Sequence, residues 1–188
     1  AACCAALSAA EQGAKVLVLE RAPKVESGGN SRFTAGAIRF AYDGVDDLVD
    51  LMPDLTQSEI ENTDFGTYTE DEFYADMGRV TDYRTDPELA NFLVSNSKKT
   101  VMWMQRNGVR FAPIWGRQAF KVDGKFKFWG GLTVEAWGGG EGLVDALHGA
   151  LGKSGVELRY GAIAKELIFD GSVVEGVRVR QGGSMVDI

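Results

Sequence analysis

Hydrophobic and polar positions fall into three textures along the chain. Residues 1–13, AACCAALSAAEQG, are dense in Ala, Cys and Ser around Leu7, and predict a helix with a small-residue face that Gly13 ends in the left-handed conformation. Residues 15–20, KVLVLE, form a short apolar, β-branched run that predicts a strand buried on both faces of a parallel sheet. A helix followed by such a strand is half of a βαβ unit. After glycine-rich turns at residues 27–30 and 35–36, the stretch from Asp43 to Asp86 is acidic and predicts a surface excursion of short helices. Asp86-Pro87 pairs a side-chain acceptor with a proline at the first helical position, so a helix is predicted from there to Asn107, with Gly108 stopping it. Leu89, Phe92, Leu93, Val101 and Met104 are expected near one face of it. Residues 109–113 predict a strand, and FKVDGKFKFW (120–129) a hairpin turning at Asp123-Gly124 in type I′ geometry. Residues 138–142 are the densest glycine patch, ahead of a helix over 143–153 that Gly155 closes. Strands are then predicted at 156–160, 162–170, 173–180 and from Ser184 onward, the later ones as a small antiparallel meander.

Composition narrows the function classes. The 188 residues carry 20 Lys and Arg against 27 Asp and Glu, a formal net charge of −7, which argues against a general nucleic-acid binder while leaving room for a local basic patch. The two cysteines, Cys3 and Cys4, are adjacent and cannot staple distant parts of the chain, so a reducing compartment is expected. No apolar run approaches the roughly 18–20 residues of a transmembrane helix. The first residues show no basic n-region or cleavage pattern, and a cytoplasmic location is expected. One histidine, His148, argues against a His-rich metal site, and none is expected. His148 falls in a helical pattern without a paired acid and reads as a surface or packed residue. The aromatic residues Trp103, Trp115, Trp129, Trp137, Phe126 and Phe128 most simply supply core.

The chemistry-bearing position is the acid that ends the second predicted element. In a dinucleotide-binding βαβ unit a glycine fingerprint opens the helix, and an Asp or Glu about 20 residues later accepts hydrogen bonds from the adenosine ribose. Glu20 stands where that acid belongs, with the fingerprint then lying at or before residue 1. On this pattern alone Glu20 is equally a charged residue leaving a buried strand, and Gly28-Gly29 equally a plain tight turn. Gly138–Gly140 fit either flexible punctuation or close passage of a ligand or another backbone.

The continuation ERAPKVESGGNSRFTAGAIRF, residues 20–40, resembles the FAD-binding region of the fumarate reductase and succinate dehydrogenase flavoprotein family: an acid-basic pair, a Gly-Gly-Asn-small turn, then an Ala-Gly step. GGGEGL (138–143) and the later strands GVELRY and AKELIFDGSVVEGVRV are similar to the branch that includes tricarballylate dehydrogenase. The resemblance implies an α/β fold: a Rossmann-like FAD-binding domain, truncated before its first strand and glycine loop, with a helical excursion and a small antiparallel β meander. It divides the chain into a βαβ remnant at 1–42, a mostly helical excursion with the hairpin at 43–137, and a return to the FAD-binding domain at 138–188, without a capping substrate domain. Glu20 would hold the adenosine ribose with Arg21 beside it. Gly28, Gly29, Asn30 and Ser31 would line the pyrophosphate and flavin side, Thr34, Ala35 and Gly36 would pass the isoalloxazine ring, and backbone near Ala164 would meet the adenine. Residues 25–29 contain no histidine to carry flavin covalently, so noncovalent FAD is expected. The implied activity is hydride transfer between flavin N5 and a small di- or tricarboxylate such as tricarballylate, fumarate or succinate, with an unidentified electron partner. No catalytic residue is assigned, and this stretch alone is expected to be inactive. The rivals are a ketosteroid dehydrogenase-like or aspartate oxidase-like flavoenzyme, a nicotinamide-dependent Rossmann enzyme, and a non-catalytic piece that holds no cofactor.

Overall fold

A computed structural model describes all of residues 1–188. In chain order the elements are α1 (Ala2–Glu11), β1 (Leu17–Leu19), α2 (Gly29–Arg32), β2 (Ala37–Ile38), α3 (Val45–Leu51), α4 (Gln57–Glu61), β3 (Thr63–Asp64), α5 (Glu70–Val80), α6 (Pro87–Arg106), β4 (Phe111–Pro113), α7 (Trp115–Gln118), β5 (Ala119–Val122), β6 (Lys125–Phe128), β7 (Val134–Ala136), α8 (Gly139–Lys153), β8 (Glu157–Arg159), β9 (Ile163–Phe169), β10 (Val174–Gln181) and β11 (Ser184–Asp187). The architecture is α/β, as the resemblance implies. The chain packs as two compact units, one of Ala1–Phe33 with Val144–Ile188 and one of Thr34–Leu143.

In the first unit, β1 pairs in parallel with β8, Leu17 facing Glu157 and Leu19 facing Arg159. The predicted double-sided burial of this strand does not occur. Leu17, Val18 and Leu19 are half-buried, because β8 is the one strand paired with β1 in a two-stranded sheet. Ala6 and Leu7 of α1 and Val144, Leu147, Ala150 and Leu151 of α8 supply much of this unit's core. Gly13 ends the first helix at φ +84°. The meander forms as expected, in the order β11-β10-β9 and antiparallel throughout.

The second unit holds two three-stranded sheets, β2-β7-β4 and β3-β6-β5. Short helices do fill the acidic stretch, and two of them start with reciprocal capping boxes, Thr56 with Glu59 and Thr69 with Glu72. Each satisfies helix-terminal N–H groups with a side chain three positions away. The Asp86 carboxylate accepts from the Glu88 and Leu89 amides at 2.9 and 3.0 Å, and α6 runs its 20 residues from there. Its buried stripe is Ala90, Val94, Ser97, Val101 and Met104, whereas Leu89, Phe92 and Leu93 are exposed. The i, i+4, i+7, i+11, i+14 spacing through small residues therefore selects the packed face over the larger side chains nearby. The hairpin turns at Asp123 and Gly124, both with positive φ, in agreement with type I′ geometry. Trp129 and Trp137 are exposed and Trp103 and Trp115 half-buried, so the tryptophans are not the core. Phe40, Leu48, Leu51, Met52, Phe111 and Ile114 are.

Candidate functional site

In the first unit the site is built around the end of β1. The backbone of Glu20 stays in the strand ladder, its N–H donating to Arg159 at 2.8 Å and its carbonyl accepting from Ala162 at 2.9 Å. Its side chain turns to the following loop: Oε1 accepts from the Ala22 amide at 2.8 Å and Oε2 from the Gly28 amide at 3.3 Å. An ionised carboxylate offers about four acceptor positions, and these bonds use two. Glu20 thus shapes the turn and keeps acceptor capacity for two vicinal hydroxyls, a requirement of a ribose.

Glu20 and Gly28 are brought together. Gly28 takes φ +106°, and a Cβ there would lie 2.8 Å from a Val144 methyl, so α8 packs where a side chain would stand. Gly29, at φ +54°, has nothing within 4 Å of the corresponding position. Its face is open to an approaching group. Asn30 and Ser31 follow, exposed on α2. The turn is locked from below by groups that no local pattern reveals. The Ser27 hydroxyl, fully buried, donates to the Lys24 carbonyl at 2.8 Å, and Arg32 Nε donates to the Ser27 carbonyl at 2.7 Å. Arg32 also pairs with Asp145 on α8 at 3.0 Å. That last contact spans 113 positions, beyond the reach of any spacing rule.

Arg21 is exposed in the bend after β1, and Ala164 is exposed on β9 opposite Val179. Ala162, two residues before it, is the one whose amide bonds Glu20. His148 is half-buried with its ring edge toward Tyr160, centroids 6.2 Å apart. Burial holds its pKa below the ordinary value, against the opposing pull of Asp145. Cys3 and Cys4 are half-buried and unbridged, and burial, with Cys4 alongside, pushes the Cys3 thiol up. No group of three or more His, Cys, Asp and Glu is placed to hold a metal ion.

In the second unit Thr34, Ala35 and Gly36 lie against the start of α8. Thr34 Oγ1 accepts from the Gly36 amide at 3.1 Å, the Thr34 carbonyl accepts from Gly140 at 3.0 Å, and the Gly36 carbonyl accepts from Ala136 at 2.8 Å. Gly36 is at φ +73°, and a Cβ there would stand 2.7 to 2.9 Å from the Gly139 main chain. Close passage of another backbone is therefore the reason for Gly36, whereas a Cβ at Gly139 would meet the Ala35 carbonyl only at 3.4 Å and glycine there answers to its own φ of +66°. The helix also starts within the glycine patch, at Gly139, four residues earlier than the pattern predicts. In β7, Glu135 pairs with Ala37, beside this segment. Burial raises its pKa, with Arg117 opposing. Its position on a short unpredicted strand hid it from the sequence.

The whole chain, residues 1–188, matches the family described as FAD binding domain, and the chain belongs to that family. It is 26% identical over 183 residues to a fumarate reductase (cytochrome) of Shewanella frigidimarina, covering 94% of this chain and 27% of the relative. Among solved structures it is similar to a 3-ketosteroid-Δ4-(5α)-dehydrogenase of Rhodococcus jostii RHA1, with TM-score 0.70, 21% identity and coverage of 98% of this chain and 41% of that one. It also resembles the open conformation of a flavocytochrome c3 fumarate reductase, with TM-score 0.63, 22% identity and coverage of 93% and 27%. These likenesses show a shared fold. The chain thus spans about a quarter of the reductase's length. The family's cofactor is FAD. The residues present fit that group: a carboxylate with spare acceptors at a strand end, and a glycine turn with an open face eight residues on. No helix is long and apolar enough to cross a membrane.

Proposed function

We propose that this chain forms FAD-holding parts of an oxidoreductase acting on a small di- or tricarboxylate, in the manner of the tricarballylate dehydrogenase branch of the fumarate reductase and succinate dehydrogenase family. Bound FAD supplies a site, N5, that accepts or donates a hydride. The chain's own residues bind and orient it. The Glu20 carboxylate takes the ribose hydroxyls while remaining bonded to the Ala22 and Gly28 amides, with Arg21 beside it. Gly29, Asn30 and Ser31 present main-chain N–H groups to the pyrophosphate, and Gly28, whose own N–H stays with Glu20, lines the same side without the bulk that would hold the phosphates off. Thr34, Ala35 and Gly36 pass the ring, and the backbone between Ala162 and Ala164 meets the adenine. No residue is assigned to substrate or to proton delivery. The flavin is held noncovalently, since residues 25–29 include no histidine.

The observation that carries this reading is the bonding of Glu20: a carboxylate at a parallel strand's C-terminal end that shapes the glycine turn and retains two acceptor positions. The carboxylate class of substrate is supported by the resemblance of residues 20–40 and 138–180 and by the fumarate reductase relative.

The test starts from the full-length protein as purified. Absorbance bands near roughly 375 and 450 nm, released as free FAD by acid, are expected. A Glu20→Ala variant should bind FAD about tenfold to a hundredfold more weakly. Turnover is then measured with tricarballylate, fumarate and succinate, and with 4-androstene-3,17-dione. Activity on the steroid alone would overturn the carboxylate reading and leave the flavoprotein reading standing. A protein that neither carries FAD nor takes it up would overturn both.

A further inference from the structure

In the sheet β2-β7-β4, residues directly opposite one another share a face. Ala37 faces Glu135 and Glu135 faces Ala112, so a carboxyl group on the middle strand stands between two alanines. All three residues are half-buried, whereas Val134, Ala136, Phe111 and Pro113 on the opposite face are buried. Glutamate is disfavoured inside a central strand, and an opposite charge across the strands is the usual compensation. Glu135 has none. Its carboxyl forms no salt bridge, and Arg117 of α7 is the charged group that acts on it, against the burial that raises its pKa. The acceptor positions of that carboxyl are left for a guest on a shelf whose other members end at Cβ, low enough for a flat group to lie across.

One edge of this shelf is the segment assigned above to the flavin ring. Ala37 follows Gly36 directly, the Gly36 carbonyl accepts from the Ala136 amide at 2.8 Å, and paired residues of antiparallel strands lie about 4.5–5.5 Å apart between Cα atoms. Glu135 is the only ionisable residue in the three strands. Hydride delivery brings two electrons and one proton to a neutral ring and leaves it with one negative charge. A carboxylate alongside opposes that charge, and a neutral carboxyl does not.

We propose that Glu135 is the ionisable group beside the flavin ring, and that the charge on its carboxyl sets how readily the ring accepts a hydride. The inference rests on the FAD-holding reading above and is independent of the substrate class.

The experiment is a redox titration of the full-length, FAD-loaded protein at pH 8 against a reference dye, repeated for Glu135→Gln and for Glu88→Gln, which removes one exposed charge from α6. Glu135→Gln should make the flavin midpoint potential more positive, equivalent to about a tenfold tighter hold on reduced relative to oxidised FAD. Glu88→Gln should leave it unchanged. The thermal midpoint of Glu135→Gln should hold or rise, because burial disfavours the charge that is removed, and this separates an electrostatic effect from loss of fold. The proposal is overturned if wild type and Glu135→Gln share one potential, or if Glu88→Gln shifts it as far. Should Glu135→Gln not fold, the wild-type protein decides: its oxidised-flavin absorbance should titrate with an apparent pKa above the ordinary glutamate value of about 4.3, and a flat absorbance overturns the proposal. A protein that holds no FAD overturns the reading beneath it as well, whereas a loaded protein with an unshifted potential overturns this inference alone.

Discussion

Gly28 and Gly36 have the same residue type and the same left-handed backbone, yet different things stand where their side chains would be. At Gly28 the obstacle is a Val144 methyl, the end of a side chain. At Gly36 it is the main chain of Gly139, itself a glycine, bonded next door through Gly140 to Thr34. A side chain can rotate or be shortened, whereas two backbones in contact can separate only by breaking the hydrogen bonds that join them. The first turn is therefore adjustable, and the second is not.

The largest expected effect follows at once. Gly36→Ala combines left-handed strain with overpacking against main chain and should cost about 3–4 kcal/mol in urea unfolding. No second substitution can relieve it, because nothing shorter than Gly139 exists. Gly28→Ala should cost about 2 kcal/mol, and adding Val144→Ala should show a favourable coupling of about 1 kcal/mol in a double-mutant cycle. Equal costs at the two glycines, or additive effects at Gly28 and Val144, would break the comparison. Gly29→Ala sharpens it further. With nothing to collide with, it carries only left-handed strain of about 1 kcal/mol, so stability should fall slightly while FAD affinity of the full-length protein falls much more. A proportionate fall in both would mean that the open face at Gly29 meets no ligand.

The smallest effect is in pH dependence, and it also separates the two units. His148 in the first unit is held below its ordinary pKa by burial, so folding favours its neutral form. That contribution is present above about pH 6.5 and is lost as pH falls through the unfolded and then the folded value. In the second unit Asp76 is held down by Arg79 and the Tyr68 hydroxyl, and Asp64 by Lys127. Their contributions persist until pH falls below about 4. Amide protection factors, with the intrinsic pH dependence of exchange divided out, should therefore fall in α8 and its neighbours between pH 7.5 and 5 before they fall in α5. A simultaneous fall would contradict the assignment.

The structure was readable where its signals are local. Glu20 followed from the end of a short apolar run, the Asp86 cap from Asp-Pro, the hairpin from Asp123-Gly124, and the meander from alternation around Gly171. Each of these signals lies within a few residues of the structure it specifies. The reading failed where a partner is distant. Leu89, Phe92 and Leu93 were placed on one face with Val101 and Met104, but the packed stripe of α6 reaches those two through Ala90, Val94 and Ser97. The two-residue strands β2 and β3 carry no periodicity at all, because pairing with β7 and β6 alone makes them strands. The capping boxes Thr56–Glu59 and Thr69–Glu72 were legible as Thr-x-x-Glu and were obscured by the acidic run around them.

By itself, then, the amino-acid order determined an α/β chain with a parallel strand ending in an acid, a glycine turn eight residues later and a terminal meander, since propensity, capping and turn geometry act over one or two turns of chain. Tertiary structure alone decided that Glu20 bonds the Gly28 amide, that Arg32 reaches Asp145 and that Gly139 abuts Gly36. Those outcomes depend on which segments meet across tens of residues, and close packing, unlike local propensity, is a property of the pair and is written in neither segment alone.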